Sequence, residues 1–201
     1  MQIDPSAYRQ LDLHAHSFLS DAQLHDVWRA DLRGGGPNRT IEDARLCFTP
    51  NTVTTANAAV KTLFSIRTVL GRMFGWDTAG DTDRWSEELY SGRLDAEDRE
   101  RSLVEPGTPD GMFKVVYVFP EESLAEVRNA TVHAFSSLAI RPSMTGYHLF
   151  WAIYVKAISP WTPTYMRVID PFRRAMVYPA VISRIETEWS TRFGDSVDSV
   201  D

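Results

Sequence analysis

From residue 113 to residue 156 strand-like runs follow one another with no room for crossover helices, and this limits the fold more than any other feature. "FKVVYVF" (113–119) alternates Phe113, Val115, Tyr117 and Phe119 against Lys114, Val116 and Val118, and similar runs follow at 131–140 and 147–156, parted by the loop "RPSMTG". Strands so closely spaced pair antiparallel, as a meander, because parallel neighbours need a long crossover between them. An earlier run, "LHDVWRADL" (24–32), sets Leu24, Asp26, Trp28, Ala30 and Leu32 on one side and His25, Val27, Arg29 and Asp31 on the other, and predicts a first strand.

The remaining segments carry helical or loop signals. "RGGGPN" breaks the chain after the first strand, and Thr40 with Asp43 predicts a capped helix to about Phe48, ended by Pro50. Apolar positions recurring every three or four residues from Val53 to Phe74 predict an amphipathic helix. Residues 77–110 hold eleven acidic side chains against four arginines, which predicts a solvated helix–loop excursion. At the end of the chain Asp170 is expected to cap a helix with Pro171 in its first position. Phe172, Met176, Ile182, Ile185, Trp189 and Phe193 form its apolar stripe, bent at Pro179.

At 201 residues the chain is read as one domain. Its parts are 22–75 (first strand and helices), 77–110 (acidic excursion), 113–156 (antiparallel strands) and 164–193 (C-terminal helix). The predicted class is α+β, with a curved antiparallel sheet wrapped on the long terminal helix in the helix-grip manner and a cavity between the two.

Two stretches carry a resemblance. "TPTYMRVIDPFRRAMVYPAVISRI" (162–185), preceded by "YHLFWAIYVK", resembles the end of a domain-of-unknown-function family in the START/polyketide-cyclase-like superfamily, the birch-pollen-allergen type. "LHDVWRADL" resembles the first strand of that family, with Asp26 and Trp28 in its Asp-x-aromatic pattern. The likeness runs from about 22 to 190 and is close only over the last forty residues. Asn129, Ala130 and Arg173 depart from it, standing where the family carries a charged run and a histidine. The resemblance implies an aromatic-lined cavity for a hydrophobic small molecule, a polyketide-like or lipid intermediate. It also implies a cofactor-free cyclisation, dehydration or isomerisation; a non-catalytic carrier is the alternative, and an interaction domain with a filled cavity is a third reading.

Six tryptophans and an aromatic share of 11% suit either a core or such a cavity. A formal charge of −6 opposes nucleic-acid binding, which needs a broad basic surface. The single cysteine, Cys47, allows no internal disulfide and fits core packing in a reducing compartment. The N-terminus lacks the basic and apolar regions of a signal peptide, and "PSMTGYHLFWAIYV" is shorter than the ~20 residues of a membrane helix, so a cytoplasmic protein is expected. The expected partner is a small-molecule ligand, with a homodimer as a further option.

The catalytic candidates are Asp26, His133, Tyr117 and Tyr147. Asp26 is an acid–base group if its strand face looks into an apolar cavity; otherwise it hydrogen-bonds backbone or pairs with Arg173 or Arg174. Tyr117 and Tyr147 could donate to a bound carbonyl or be satisfied within the core. Tyr147, Leu149, Trp151 and Ile153 are expected to face inward and His148 outward, while strand 131–140 leaves the direction of His133 open. Trp28, Phe113, Phe119, Leu149, Trp151, Met176 and Arg173 are the expected ligand contacts. His14 and His16 of "HAH" have a chelating spacing on an extended chain but need a third ligand, His25 or Asp26; the alternative is surface histidines, and neither metal nor cofactor is expected.

Overall fold

In the computed structural model, which describes residues 1–48, 89–128 and 132–194, the predicted meander is an open antiparallel sheet of six strands. They are β1 (Gln23–Arg33), β2 (Pro109–Asp110), β3 (Phe113–Val118), β4 (Glu122–Arg128), β5 (Val132–Ser143) and β6 (Gly146–Ala157), in the order β1-β6-β5-β4-β3-β2. The sheet thus has one strand more than expected within 113–156, because "ESLAEVR" reads as charged and yet pairs along its whole length with β5. The first strand closes onto the last long one, with Trp28 directly opposite Trp151.

Both faces of the sheet are covered, which makes the layering α/β/α-like rather than one-sided. On one face lies the C-terminal helix, in three stretches: α5 (Thr162–Phe172), a π-helical turn (Arg173–Val177) and α6 (Tyr178–Phe193). α6 packs on β1 and on α3 (Ile41–Cys47), and α3 is held at its start by Asp43 Oδ2, which accepts the Thr40 N–H at 3.1 Å. Tyr178, Val181, Ile182, Ile185 and Trp189 are buried from this helix. At roughly 1.5–3 kcal/mol per fully buried large apolar side chain, that stripe rather than helix propensity holds α6 in place.

The opposite face is sealed by four short elements, of which only the last falls where the sequence pattern allowed for a helix. They are α1 (Pro5–Arg9), α2 (His14–Phe18), a 3₁₀ turn (Tyr90–Arg93) and α4 (Ala96–Arg101). Tyr8, Leu19, Tyr90 and Leu94 from this layer join Tyr117, Phe119, Phe135 and Tyr154 from the sheet in a second core. The described part of the acidic excursion holds a helix and keeps Asp95, Glu97, Glu100 and Glu105 exposed, but it also packs on the sheet, where Tyr90 and Asp98 are buried. The helix predicted over 53–74 and the part of the excursion before residue 89 lie outside the described residues.

Two further expectations are corrected. The terminal helix begins at Thr162, with Pro163 in its first turn, so Asp170 is an interior residue and not a cap. An Asp–Pro cap does occur at Asp4–Pro5, where Asp4 Oδ1 accepts the Ser6 N–H at 2.7 Å and opens α1. Phe172 and Met176 are 43% and 37% exposed and turn away from the sheet. The stripe shifts because the π-helical turn adds a residue to the helical repeat, which rotates the face ahead of it relative to α6.

"RGGGPN" forms a left-handed loop with positive φ at Gly34, Gly35, Gly36 and Asn38. Gly35, at φ +95°, lies so close to the indole of Trp189 that a Cβ would stand 2.7 Å from Cζ2. The loop therefore seats the end of α6, and Trp189 Nε1 donates to Arg33 O at 3.2 Å. No helix among the described residues is long and apolar enough to cross a membrane.

Candidate functional site

Two breaks in regular structure face each other at one end of the sheet. In β1, Leu24 stands opposite Tyr154 and Asp26 opposite Ile153, so His25 is an extra residue and the strand bulges. The bulge reverses the alternation ahead of it: Leu24, expected to share a face with Asp26, joins the second core, while Trp28 belongs to the core under the C-terminal helix. In that helix Pro171 and Pro179 bracket the π-helical turn, and neither has an N–H to give to the α-helical ladder. Bulges of both kinds concentrate at functional sites.

Between the two breaks lies a cluster of charged and phenolic groups. Asp26, with a fully buried side chain, has Oδ1 2.9 Å from Arg174 Nη2 and Oδ2 3.6 Å from His25 Nε2. The Tyr178 hydroxyl donates to Asp26 Oδ2 at 3.5 Å. His25 Nε2 lies 2.8 Å from Asp170 Oδ2, and since a carboxylate only accepts, the imidazole carries its proton on that nitrogen. Arg173 is 3.4 Å from Asp170 Oδ1 and hydrogen-bonds the Tyr178 hydroxyl. Burial, opposed by the Arg173 guanidinium and reinforced by Asp26, pushes the Tyr178 phenol far above its ordinary value, so it stays a proton donor.

Aromatic rings wall this cluster on its inner side. Tyr178 lies 4.9 Å from Trp28 and 5.0 Å from Trp151, centroid to centroid. Trp151 Nε1 donates to Ser136 Oγ at 3.0 Å, whereas the buried Trp28 Nε1 has no acceptor among the described residues. A carboxylate, a neutral phenol and an imidazole thus meet beside an apolar wall, and each is a group that can take part in general acid–base chemistry.

His25, Asp26 and Asp170 also offer ligand atoms within 4.8 Å of one another. The donor set does not suit a divalent cation, because each carboxylate already has a guanidinium beside it, and a cation would have to expel Arg173 and Arg174.

The other sequence candidates are dispersed. Tyr147 is on the same face but pairs with Leu32, six residues along β6 from Ile153 and hence about 20 Å from the Asp26 register. Its hydroxyl is used in the glycine loop, donating to Gly36 O at 2.8 Å and accepting from Arg39 N at 3.2 Å. Leu149 and Trp151 face the C-terminal helix as expected. Tyr117 and Phe119 lie in the second core, stacked at 4.4 Å, behind the sheet from Asp26. His133 points to that same far side, fully buried. Phe113 is only half-buried at the start of β3, and Met176 is exposed. Trp151 and Arg173 are the candidates that join Asp26 and Trp28.

His148 is partly exposed with Nδ1 2.9 Å from Asp31, on the face that also holds Lys156. His14 and His16 lie in a helix rather than an extended chain and diverge, His14 toward Asp98 at 3.0 Å and His16 toward the Tyr154 hydroxyl at 2.9 Å. Cys47 is a core residue, its thiol pushed up to about 11 by burial.

Asp170 and Tyr178 are the site residues that sequence reasoning missed. Their signal was the pair of prolines around "FRRAMVY", which marks a stretch where an α-helix cannot keep its ladder, but nothing local says which side chains the break turns inward. No curated protein matches the chain. A family model described as a protein of unknown function, DUF2867, matches residues 18–180, a span holding all six strands, the Asp26 cluster and the π-helical turn; the chain belongs to the DUF2867 family.

Proposed function

We propose that the sheet and the C-terminal helix work as a helix grip, in the manner of the START/polyketide-cyclase-like superfamily, and receive a hydrophobic small molecule against the Trp28–Trp151–Tyr178 wall. The ligand carries a carbonyl or hydroxyl group at its polar end and belongs to the polyketide-like or lipid intermediates. The observation that carries this reading is a fully buried carboxylate, Asp26, set between two backbone bulges on the strand that also holds a buried indole N–H, Trp28 Nε1, with no acceptor among the described residues. A ligand carbonyl would satisfy Trp28 Nε1, and burying a polar N–H unpaired costs about 1–3 kcal/mol.

In the catalytic form of the reading, Asp26 takes a proton from the carbon next to the carbonyl while Tyr178 donates a hydrogen bond to the oxygen on which charge develops. The protonated Asp26 carboxyl then returns the proton elsewhere on the substrate, while His25, held by Asp170, positions that carboxyl. Each such positioned group contributes about 10²–10⁴-fold, with no metal or cofactor involved. The second reading is a carrier with the same pocket, favoured by the apolar partners Met166, Val181 and Ile182 that surround the wall. Either would suit a cytoplasmic protein with one buried thiol.

Native mass spectrometry of protein isolated from its own host tests the binding step, with a co-purifying small molecule expected. Asp26→Asn is expected to keep that molecule bound and to lower its conversion by about 100-fold or more. Unchanged conversion would remove Asp26 from the chemistry, and protein that is empty in both forms would overturn the binding reading.

A further inference from the structure

The helix-facing side of the sheet has a second polar end, two strands away from the Asp26 cluster. Residues directly opposite in antiparallel strands project to the same face. Asp26 of β1 and Ser136 of β5 both stand opposite Ile153 of β6, and in the neighbouring row Trp28 and Leu138 both stand opposite Trp151. Ser123 of β4, opposite Leu138, adds one more hydroxyl beyond Ser136. Both serines are buried, beside Leu138, Trp151 and Ile153 of the core under the C-terminal helix. Polar groups therefore stand at either end of an apolar middle, carboxylate and indole on β1, hydroxyls on β5 and β4.

Two donors on this face are unspent. Trp28 Nε1 is buried with no acceptor among the described residues. Ser136 Oγ accepts from Trp151 Nε1 at 3.0 Å, and since a hydroxyl both accepts and donates, its own O–H is left over; no described residue accepts it. Buried polar groups in folded proteins find partners, so two such donors on one face call for acceptors that the chain itself does not supply. Their spacing sets how many acceptors are needed. Asp26 and Ser136 have short side chains on strands two places apart in the sheet, so their polar atoms are separated by about two strand spacings, roughly 10 Å. One carbonyl cannot reach both. The middle between them is aromatic: the rings of Tyr178 and Phe48 stand at 81° and 74° to Trp151, with centroids 5.0 and 4.9 Å away.

We propose, on the reading of the Asp26 face as a ligand site, that the ligand carries a second acceptor oxygen which takes the Ser136 hydroxyl hydrogen, while its first oxygen lies at Tyr178 and Trp28. A flat apolar body spans Trp151 between the two. This narrows the ligand to one class, a polyketide-like compound with oxygens at both ends. A lipid with a single polar head would leave the Ser136 O–H buried without a partner.

Calorimetry of the full chain with 2-acetylnaphthalene, 2,6-diacetylnaphthalene and decanoic acid tests the assignment, because the first two differ only in a second carbonyl. The diacetyl probe is expected to bind about fivefold tighter than the monoacetyl probe, as one further hydrogen bond implies. Ser136→Ala should abolish that advantage and leave the affinity for the monoacetyl probe unchanged, a selectivity that general damage to the fold would not produce. Ser136→Cys, with a weaker donor of similar size, serves if Ser136→Ala does not fold. Equal affinity for the two acetyl probes, an advantage that survives in Ser136→Ala, or decanoic acid as the tightest of the three overturns the second oxygen and leaves the ligand site standing. Binding by none of the three overturns the ligand site and the second oxygen together.

Discussion

Replacing Glu126 with Gln tests the claim that a buried carboxylate clamps the 3₁₀ turn onto the sheet. The Glu126 side chain is fully buried, and its two oxygens serve three donors: Tyr90 N and His133 Nε2 on Oε2, Ser91 N on Oε1. Glutamine has the same shape but a single acceptor oxygen. If that oxygen takes the Oε2 position, the new amide N–H₂ opposes Ser91 N; in the other orientation it opposes Tyr90 N, and only the imidazole could answer by changing tautomer. One backbone N–H is therefore left buried without a partner in either case, at about 1–3 kcal/mol, and the surviving bonds lose their charge assistance. A total near 3 kcal/mol follows, a large share of the ~5–15 kcal/mol typical of a domain. In a chain of this length that corresponds to a fall in Tm of about 6–12 °C. Thermal melts followed by circular dichroism, with hydrogen exchange read at Tyr90 and Ser91, measure both the size and the place of the effect. A fall below about 2 °C, or unchanged protection at those two amides, would show that the carboxylate does not hold the turn.

Two further outcomes follow from the geometry. Gly35→Ala combines a positive φ with a Cβ 2.7 Å from the core side chain of Trp189, and should lower stability by about 2–4 kcal/mol, seen as a reduced urea midpoint with an unchanged slope. At Asp21 burial works against the charged form, but hydrogen bonds from Lys156, Tyr90 and Arg93 prevail and hold the carboxyl well below the usual range. Because the folded value is depressed, its contribution is complete above the unfolded carboxyl value of about 3.9 and is lost as pH falls through the folded one. Asp21→Asn should thus be less stable than the parent at pH 7, with the gap closing below about pH 4; denaturant titrations that show a constant gap down to pH 2 would contradict this.

Much of the fold was legible because it is written in local periodicity. The period-two runs located β1, β3, β5 and β6, and the spacing of Ile182, Ile185 and Trp189 located α6 and its buried face. β4 escaped because Glu122 and Glu126 occupy buried positions, where a charged residue is legible only once its hydrogen-bond partners are known. The direction of His133 was open for a related reason. In a sheet covered on both sides, Val132 and His133 both point to buried layers, so alternation no longer separates inside from outside.

The candidate site shows the same division more sharply. Asp26, Trp28 and Arg173 stood out in the sequence, as did the possibility that Asp26 meets Arg174. Their assembly depends on two single-residue insertions in register, the bulge at His25 and the π-helical turn at Arg173–Val177. Each changes which face every preceding residue takes. The sequence by itself determined the α+β class, the antiparallel pairing and the apolar stripe of α6, because periodicity, turns and caps act between residues close along the chain. Only the tertiary structure decided that Tyr117 and His133 lie across the sheet from Asp26 and that Asp170 and Tyr178 join it. Those outcomes rest on register and on which layer covers which face, and both are set by contacts between segments far apart in sequence.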